Sequence, residues 1–215
     1  IITGGADGDT INGNAGNDIL NGGSGGDNIS GGDGDDSITG GTGIDNINGG
    51  TGDDNINGGD GDDSITGGTG IDNINGGDGD DSITGGAGND FLTGGSGIDT
   101  FIWLEGDSGV DEITDFTVGE DVIDISDILQ INNGDNLNDF LDFESDGTDT
   151  TISIFADGGN TITQTIVLDN VDLGSNDVTI INDMLTGTTN GGSLFVGDSS
   201  LVDTLVIQAI ADETD

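Results

Sequence analysis

The chain of 215 residues contains no Lys, Arg or His, no Cys, no Tyr and no Pro. Each absence removes a class of chemistry. A Ser-His-Asp triad, a thiolate nucleophile, a Schiff-base amine, a P-loop lysine, a Cys/His zinc site and a haem histidine all need residue types missing here. No disulfide can form, which suits a secreted bacterial protein that does without them and a cytosolic one equally. With no cationic side chain, none of the 39 Asp and 5 Glu can enter a salt bridge, and the formal charge is −44. Such a surface repels nucleic acid and anionic membrane, so neither is expected as a partner, and the counter-charge has to be a bound cation. The hard oxygen donors that remain favour calcium. No apolar run approaches the ~18 residues of a membrane helix. Ile1-Ile2-Thr3 shows neither an initiator Met nor a signal peptide, so the sequence reads as part of a longer chain.

What is present is periodic. An Asp stands at every multiple of nine: Asp9, Asp18, Asp27, Asp36, Asp45, Asp54, Asp63, Asp72, Asp81, Asp90 and Asp99. Around it each unit reads Gly-Gly-x-Gly-x-Asp-x-aliphatic-x, as in Gly31-Gly32-Asp33-Gly34-Asp35-Asp36-Ser37-Ile38-Thr39. The eighth position carries one large apolar side chain per unit, from Ile11 and Leu20 through Ile83 to Leu92 and Phe101. Flanked by Asn, Ser or Thr, it makes a three-residue strand pattern, and the glycine-rich remainder is a turn. Glycine at this density disfavours a helix by ~1 kcal/mol per site. Two nonapeptides then form one circuit, and circuits stack as parallel strands with the aliphatic column inside. Residues 31–48 recur letter for letter at 58–75, so the array grew by duplication.

This nonapeptide resembles the calcium-binding repeat of the RTX family, over residues 4–102. It departs in the early units, where Asp7 and Asn14 replace glycines and Gly26 fills a variable position. The resemblance implies an all-β parallel β-roll in which each Ca²⁺ lies between same-side loops of adjacent circuits. For the loops at 40–45 and 58–63 it implies the carbonyls of Gly40 and Thr42 with Asp45, facing those of Gly59 and Gly61 with Asp63. The eleven repeat Asp residues are the expected metal ligands, and about nine or more ions are expected. The fifth-position acids Asp35, Asp53, Asp62 and Asp80 are expected to be solvated, because Asn17, Ile44, Ile71, Asn89 and Ile98 occupy the same slot. In the absence of metal the array should be unfolded.

The repeat pattern ends at 102, and 103–176 reads as a small β-rich cap. Its segment from Asp111 to Leu129 resembles the D-x-I-x-D-F … G-x-D-x-I-D-L-S-x-L-L stretch that follows RTX arrays in type I-secreted bacterial proteins. Asp111, Asp115 and Asp124 are candidates for one further calcium site, with exposed acids the equal alternative. Trp103 and Phe116 are expected in the core. Alternation in 151–155 and 161–168 predicts a β-hairpin. Asp142–Ser153 begins like an EF-hand loop, but its twelfth position is Ser153, and the match is rejected. Residues 177–215, acidic and aliphatic, resemble the C-terminal signal read by type I exporters.

The expectation is therefore a non-enzymatic calcium-binding module from a large secreted bacterial adhesin, extracellular or at the cell surface and monomeric as a fragment. Its partner would be a type I ABC exporter. The rivals are the RTX tail of a secreted protease or lipase, an ice-binding solenoid, and a glycosidase using paired acids. Against ice binding, the third-position columns Ala6, Ser24, Thr42, Asp60, Asp78, Ser96 and Ala15, Asp33, Thr51, Thr69, Ala87 are not uniform. Against the glycosidase, one Trp and no Tyr or His leave little to line a sugar site.

Overall fold

The computed structural model describes residues 1–129, 139–155 and 161–174, together with the backbone of 194–195. The repeats form eleven strands in succession: β1 (Ile2–Gly5), β2 (Thr10–Ala15), β3 (Ile19–Ser24), β4 (Asn28–Asp33), β5 (Ser37–Thr42), β6 (Asn46–Thr51), β7 (Asn55–Asp60), β8 (Ser64–Thr69), β9 (Asn73–Asp78), β10 (Ser82–Ala87) and β11 (Phe91–Ser96). Odd-numbered strands line up parallel in one sheet and even-numbered strands in the other. The register advances one circuit for every two nonapeptides, with Ile38 beside Ile56 and Ile47 beside Ile65. The chain is thus a flattened coil, and each nonapeptide supplies one strand and one turn.

The full strands run to six residues, longer than the three-residue pattern predicts. They take in the glycine pair and the third position, which leaves only positions four to six for the turn. The reason lies in the stack. Where identical glycines repeat at every level, as Gly41, Gly59 and Gly77 do, two backbones can approach and pair without a side chain between them. Gly41 has φ +124, and a Cβ there would run into the carbonyl oxygen of Gly23 one circuit below.

The core is a column one side chain wide. Ile11, Leu20 and each eighth-position residue up to Phe101 are buried between the sheets. One buried Ile yields about 1.5–3 kcal/mol. Ordering nine backbone residues costs about 1–2 kcal/mol each. The column alone cannot hold the coil.

The coil continues past the nonapeptide pattern with longer turns. The strands β12 (Thr100–Ile102), β13 (Val110–Ile113) and β14 (Val122–Asp124) extend both sheets in parallel, with Leu92 beside Ile113 and Phe101 beside Ile123. The antiparallel meander of β15 (Leu141–Ser145), β16 (Thr150–Ile154) and β17 (Gln164–Leu168) then closes one sheet, with β17 parallel to β13. The predicted hairpin is β16–β17, with Ile152 opposite Ile166. Trp103, Phe116, Phe140 and Phe143 are buried here and widen the core from the aliphatic column. In the other sheet β18 (Leu194–Phe195) pairs with β14. Apart from that strand, the segment 177–215 lies outside the described residues.

Candidate metal sites along the two edges of the roll

The repeat Asp residues stand at the turns, in two columns. Asp9, Asp27, Asp45, Asp63, Asp81 and Asp99 follow one edge; Asp18, Asp36, Asp54, Asp72 and Asp90 follow the other. From Asp27 to Asp99 every one is buried, whereas Asp9 and Asp18 are half-buried. From Asp27 onward each carboxylate reaches back one circuit. Asp27 N–H donates to Asp45 Oδ1 at 2.7 Å, Asp45 N–H to Asp63 Oδ1 at 2.8 Å, and Asp54 N–H to Asp72 Oδ1 at 2.9 Å. One oxygen per carboxylate therefore joins successive circuits.

The second oxygen has no protein partner. Oδ2 of Asp27, Asp36, Asp45, Asp54, Asp63, Asp72, Asp81 and Asp90 is buried and accepts no hydrogen bond. Beside each lies the first glycine of its own unit, whose missing side chain leaves a cradle. A Cβ on Gly40 would collide with Asp45 Oδ2 and come within 2.5 Å of the carbonyl oxygen of Gly58 in the next circuit. The same pairing of a carboxylate oxygen with a carbonyl one circuit on recurs at Gly4, Gly22, Gly40, Gly58 and Gly76 on one edge and at Gly13, Gly31, Gly49 and Gly67 on the other. Five and four make nine cradles among the described residues.

Burial without a counter-ion raises the carboxyl pKa values. Asp54 and Asp63 are pushed up to about 6 and Asp72 and Asp81 to about 7. Desolvation is the main cause. The backbone hydrogen bond opposes it, and neighbouring carboxylates of the same column add to it. Asp45 and Asp90 shift the same way. Orphaned buried oxygens, adjacent carbonyls and hard donors fit a calcium ion, which takes 6–8 oxygens. Among the described residues no three carboxylates gather around one point. Carbonyls and water would have to complete each shell.

Of the four carbonyls singled out in the sequence, that of Gly40 faces Asp27 Oδ2 across the cradle at Gly22. The carbonyl of Thr42 accepts the Gly25 N–H at 2.7 Å. Those of Gly59 and Gly61 lie against Gly77 and Gly79 one circuit on. The fifth-position acids are exposed, yet they form ladders of their own running the opposite way. Asp53 N–H donates to Asp35 Oδ1 at 3.1 Å, Ile71 N–H to Asp53 Oδ1 at 2.8 Å, and Ile98 N–H to Asp80 Oδ1 at 2.8 Å.

Both columns end in the cap on a carboxylate that sequence reasoning did not place in the series. Asp90 N–H donates to Asp111 Oδ1 at 3.0 Å, and Asp99 N–H to Asp121 Oδ1 at 3.1 Å. Their second oxygens are satisfied by protein. Asp111 Oδ2 accepts the Trp103 indole N–H at 2.8 Å and the Gln164 amide at 2.7 Å, and Asp121 Oδ2 accepts the Thr117 N–H at 2.7 Å. The signal was present, since Val110-Asp111-Glu112-Ile113 repeats the x-Asp-x-aliphatic order, but it stands 21 residues from Asp90 instead of two nonapeptides. Asp115 accepts the N–H groups of Gly94 and Gly95, both at 2.9 Å, and Asp124 accepts Ser126 N–H at 3.0 Å. Asp111, Asp115 and Asp124 thus serve three separate places. Asp146 caps the β15–β16 turn, accepting Thr148 N–H at 2.9 Å.

A parallel roll whose two edges carry columns of buried, unpartnered carboxylate oxygens is a metal-binding β-solenoid. Residues 1–101 belong to the family of RTX calcium-binding nonapeptide repeats, four copies of which match residues 1–29, 30–65, 39–74 and 66–101. This repeat region is a structural calcium-binding module and not a catalytic one. Solved structures similar to the chain include two subunits of the Azotobacter vinelandii mannuronan C5-epimerase. The AlgE6R3 subunit is 25% identical over 77% of this chain and 83% of its own, with a TM-score of 0.44. The AlgE6R2 subunit is 25% identical over 67% and 93%, with a TM-score of 0.43. The extracellular lipase LipA of Serratia marcescens is 20% identical over 77% of this chain and 38% of its own, with a TM-score of 0.32. No curated protein matches the sequence.

Proposed function

We propose that the chain is a calcium-triggered folding region of a secreted bacterial protein, unfolded in the calcium-poor cytosol and folded outside the cell. The observation that carries it is the column of buried Asp Oδ2 atoms with no protein partner. With −44 charges and no cationic side chain, the chain has no internal means of compensating that column. A bound calcium ion supplies the missing positive charge. The described residues contribute nine cradles, for about nine or more ions, each framed by an Asp carboxylate of one circuit and a glycine carbonyl of the next. Oδ1 ties the same Asp to the circuit before it, so the sites depend on one another along each edge.

In this reading the unfolded acidic chain threads a type I ABC exporter, addressed by residues 177–215, and folding outside opposes its return. The module is then a monomeric, non-enzymatic part of a large adhesin at the bacterial surface. The orphaned carboxylates would serve the tail of a secreted hydrolase equally, and the sequence of the adjoining segments separates the two.

Circular dichroism tests the folding step. Chelator should abolish the β signal and millimolar calcium should restore it, whereas magnesium, which demands a tighter octahedral shell, should not. Identical spectra in chelator and calcium would overturn the proposal. Deleting residues 177–215 should abolish export from cells carrying a type I exporter and leave calcium-induced folding of the repeats in place; normal secretion would remove the exporter from the account.

A further inference from the structure

Five ninth-position residues are Asn followed by the first glycine of the next unit: Asn12-Gly13, Asn21-Gly22, Asn48-Gly49, Asn57-Gly58 and Asn75-Gly76. In every case the Asn is exposed. The glycine after it is the one that frames a cradle. We propose that these five bonds are hydrolytic deamidation sites whose reactivity is set by the folding state, so that a chain left without calcium loses its ability to fold. This inference rests on the calcium-triggered folding proposed above.

The chemistry needs only water. The backbone nitrogen of Gly58 gives up its proton and bonds to Cγ of Asn57, and the side-chain amide leaves as ammonia. Water then opens the five-membered imide at either carbonyl, giving Asp or an isoaspartyl linkage at position 57. No oxidant or reductant enters. The step requires the Asn57 backbone to swing its following nitrogen towards Cγ. An unfolded Asn-Gly segment does this readily, because glycine adds no Cβ to obstruct the approach. An extended strand fixes ψ in the β region and keeps the nitrogen turned away.

The coil imposes that restraint unequally. Asn21, Asn48, Asn57 and Asn75 lie inside β3, β6, β7 and β9, each paired with a strand on both sides. Asn12 lies in β2, which is at the edge of its sheet and pairs only with β4. Damage at these positions would reach the metal sites. The carbonyl of Gly58 faces Asp45 Oδ2, and Gly58 itself frames the cradle of Asp63. An isoaspartyl linkage at 57 adds a backbone atom directly before it.

The test incubates the purified chain near neutral pH in calcium, in chelator and in urea, with site-by-site peptide mass spectrometry and an isoaspartyl assay. Cleavage must be at acidic or apolar residues, since the chain offers trypsin no Lys or Arg. Asn21, Asn48, Asn57 and Asn75 should react about tenfold or more slowly in calcium than in chelator or urea, with Asn12 in between. Wild type aged in chelator should lose its calcium-induced β signal. A variant carrying Thr at all five positions, the residue native at Thr39, Thr66 and Thr84, should keep it. Equal rates in calcium and urea would overturn the inference. Equal loss of folding by the variant would overturn its consequence. Protection in both calcium and chelator would instead overturn the calcium-triggered folding and leave strand protection standing.

Discussion

Asp36 and Asp54, one circuit apart, share one hydrogen bond: Asp36 N–H donates to Asp54 Oδ1 at 2.8 Å. The other oxygen of Asp54 is buried with no donor facing it. The same side chain thus joins two circuits and presents an unmet charge to a third group.

That double duty predicts a difference between the middle and the end of the array. Asp54→Ala removes a proposed ligand and strands the buried Asp36 N–H, a loss of about 1–3 kcal/mol. Asp9→Ala removes a half-buried carboxylate to which, among the described residues, no backbone N–H donates. Calcium titration followed by circular dichroism should show a much larger rise in midpoint for Asp54→Ala. Asp54→Asn, which keeps an acceptor for Asp36 N–H, should fall between Asp54→Ala and the wild type. Equal midpoints for Asp9→Ala and Asp54→Ala would contradict the coupling.

The raised carboxyl pKa values set a pH dependence for the metal-free chain. Asp54, Asp63, Asp72, Asp81 and Asp99 bind protons in the coil up to pH about 6–7, whereas the unfolded chain releases them near 3.8. Between those limits the coil binds more protons than the unfolded chain, so its stability falls as pH rises through the window. Calcium-free protein should therefore gain β signal on acidification from neutral pH towards 4. Calcium affinity should weaken over the same range as protons compete for Oδ2. A metal-free spectrum independent of pH would count against the buried column.

Two adjacent glycines should fail for different reasons. Gly40→Ala fills the cradle between Asp45 Oδ2 and the Gly58 carbonyl, and should remove one ion from the stoichiometry measured by calorimetry. Gly41→Ala forces a side chain to φ +124 against the Gly23 carbonyl, a strain of about 1–3 kcal/mol that lowers thermal stability in saturating calcium.

In the cap, Gln164→Leu withdraws one of the two side-chain donors from Asp111 Oδ2, whose carboxyl pKa burial already pushes up to about 6. A loss of about 1–3 kcal/mol is expected in saturating calcium. The single tryptophan, Trp103, donates to the same oxygen, so its emission should shift with the substitution. An unchanged unfolding midpoint would show that Asp111 does not need this partner.

Most of the repeat region was legible because the determinants are local and recur with every nonapeptide. A single aliphatic position must face inward, glycines recur at the first, second and fourth positions of nearly every unit, and the Asp at Asp36 or Asp45 can only repeat its neighbour's role. The cap was less legible. Asp111 and Asp121 continue the two columns at intervals of 21 and 22, and those longer turns broke the period by which the others were found.

The sequence by itself determined the coil, its circuit of two nonapeptides, the inward column from Ile11 to Phe101 and the demand for a cation, since a chain without Lys, Arg or His cannot neutralise its own carboxylates. Only the tertiary structure decided how each Asp divides its two oxygens, because Oδ1 finds its donor one circuit away and Oδ2 finds none. It also decided where the need for metal ends. Trp103 and Gln164, distant in sequence, meet at Asp111 only once β13 and β17 pair. Their two donors supply there what the repeats must take from a cation, and no local pattern encodes that meeting.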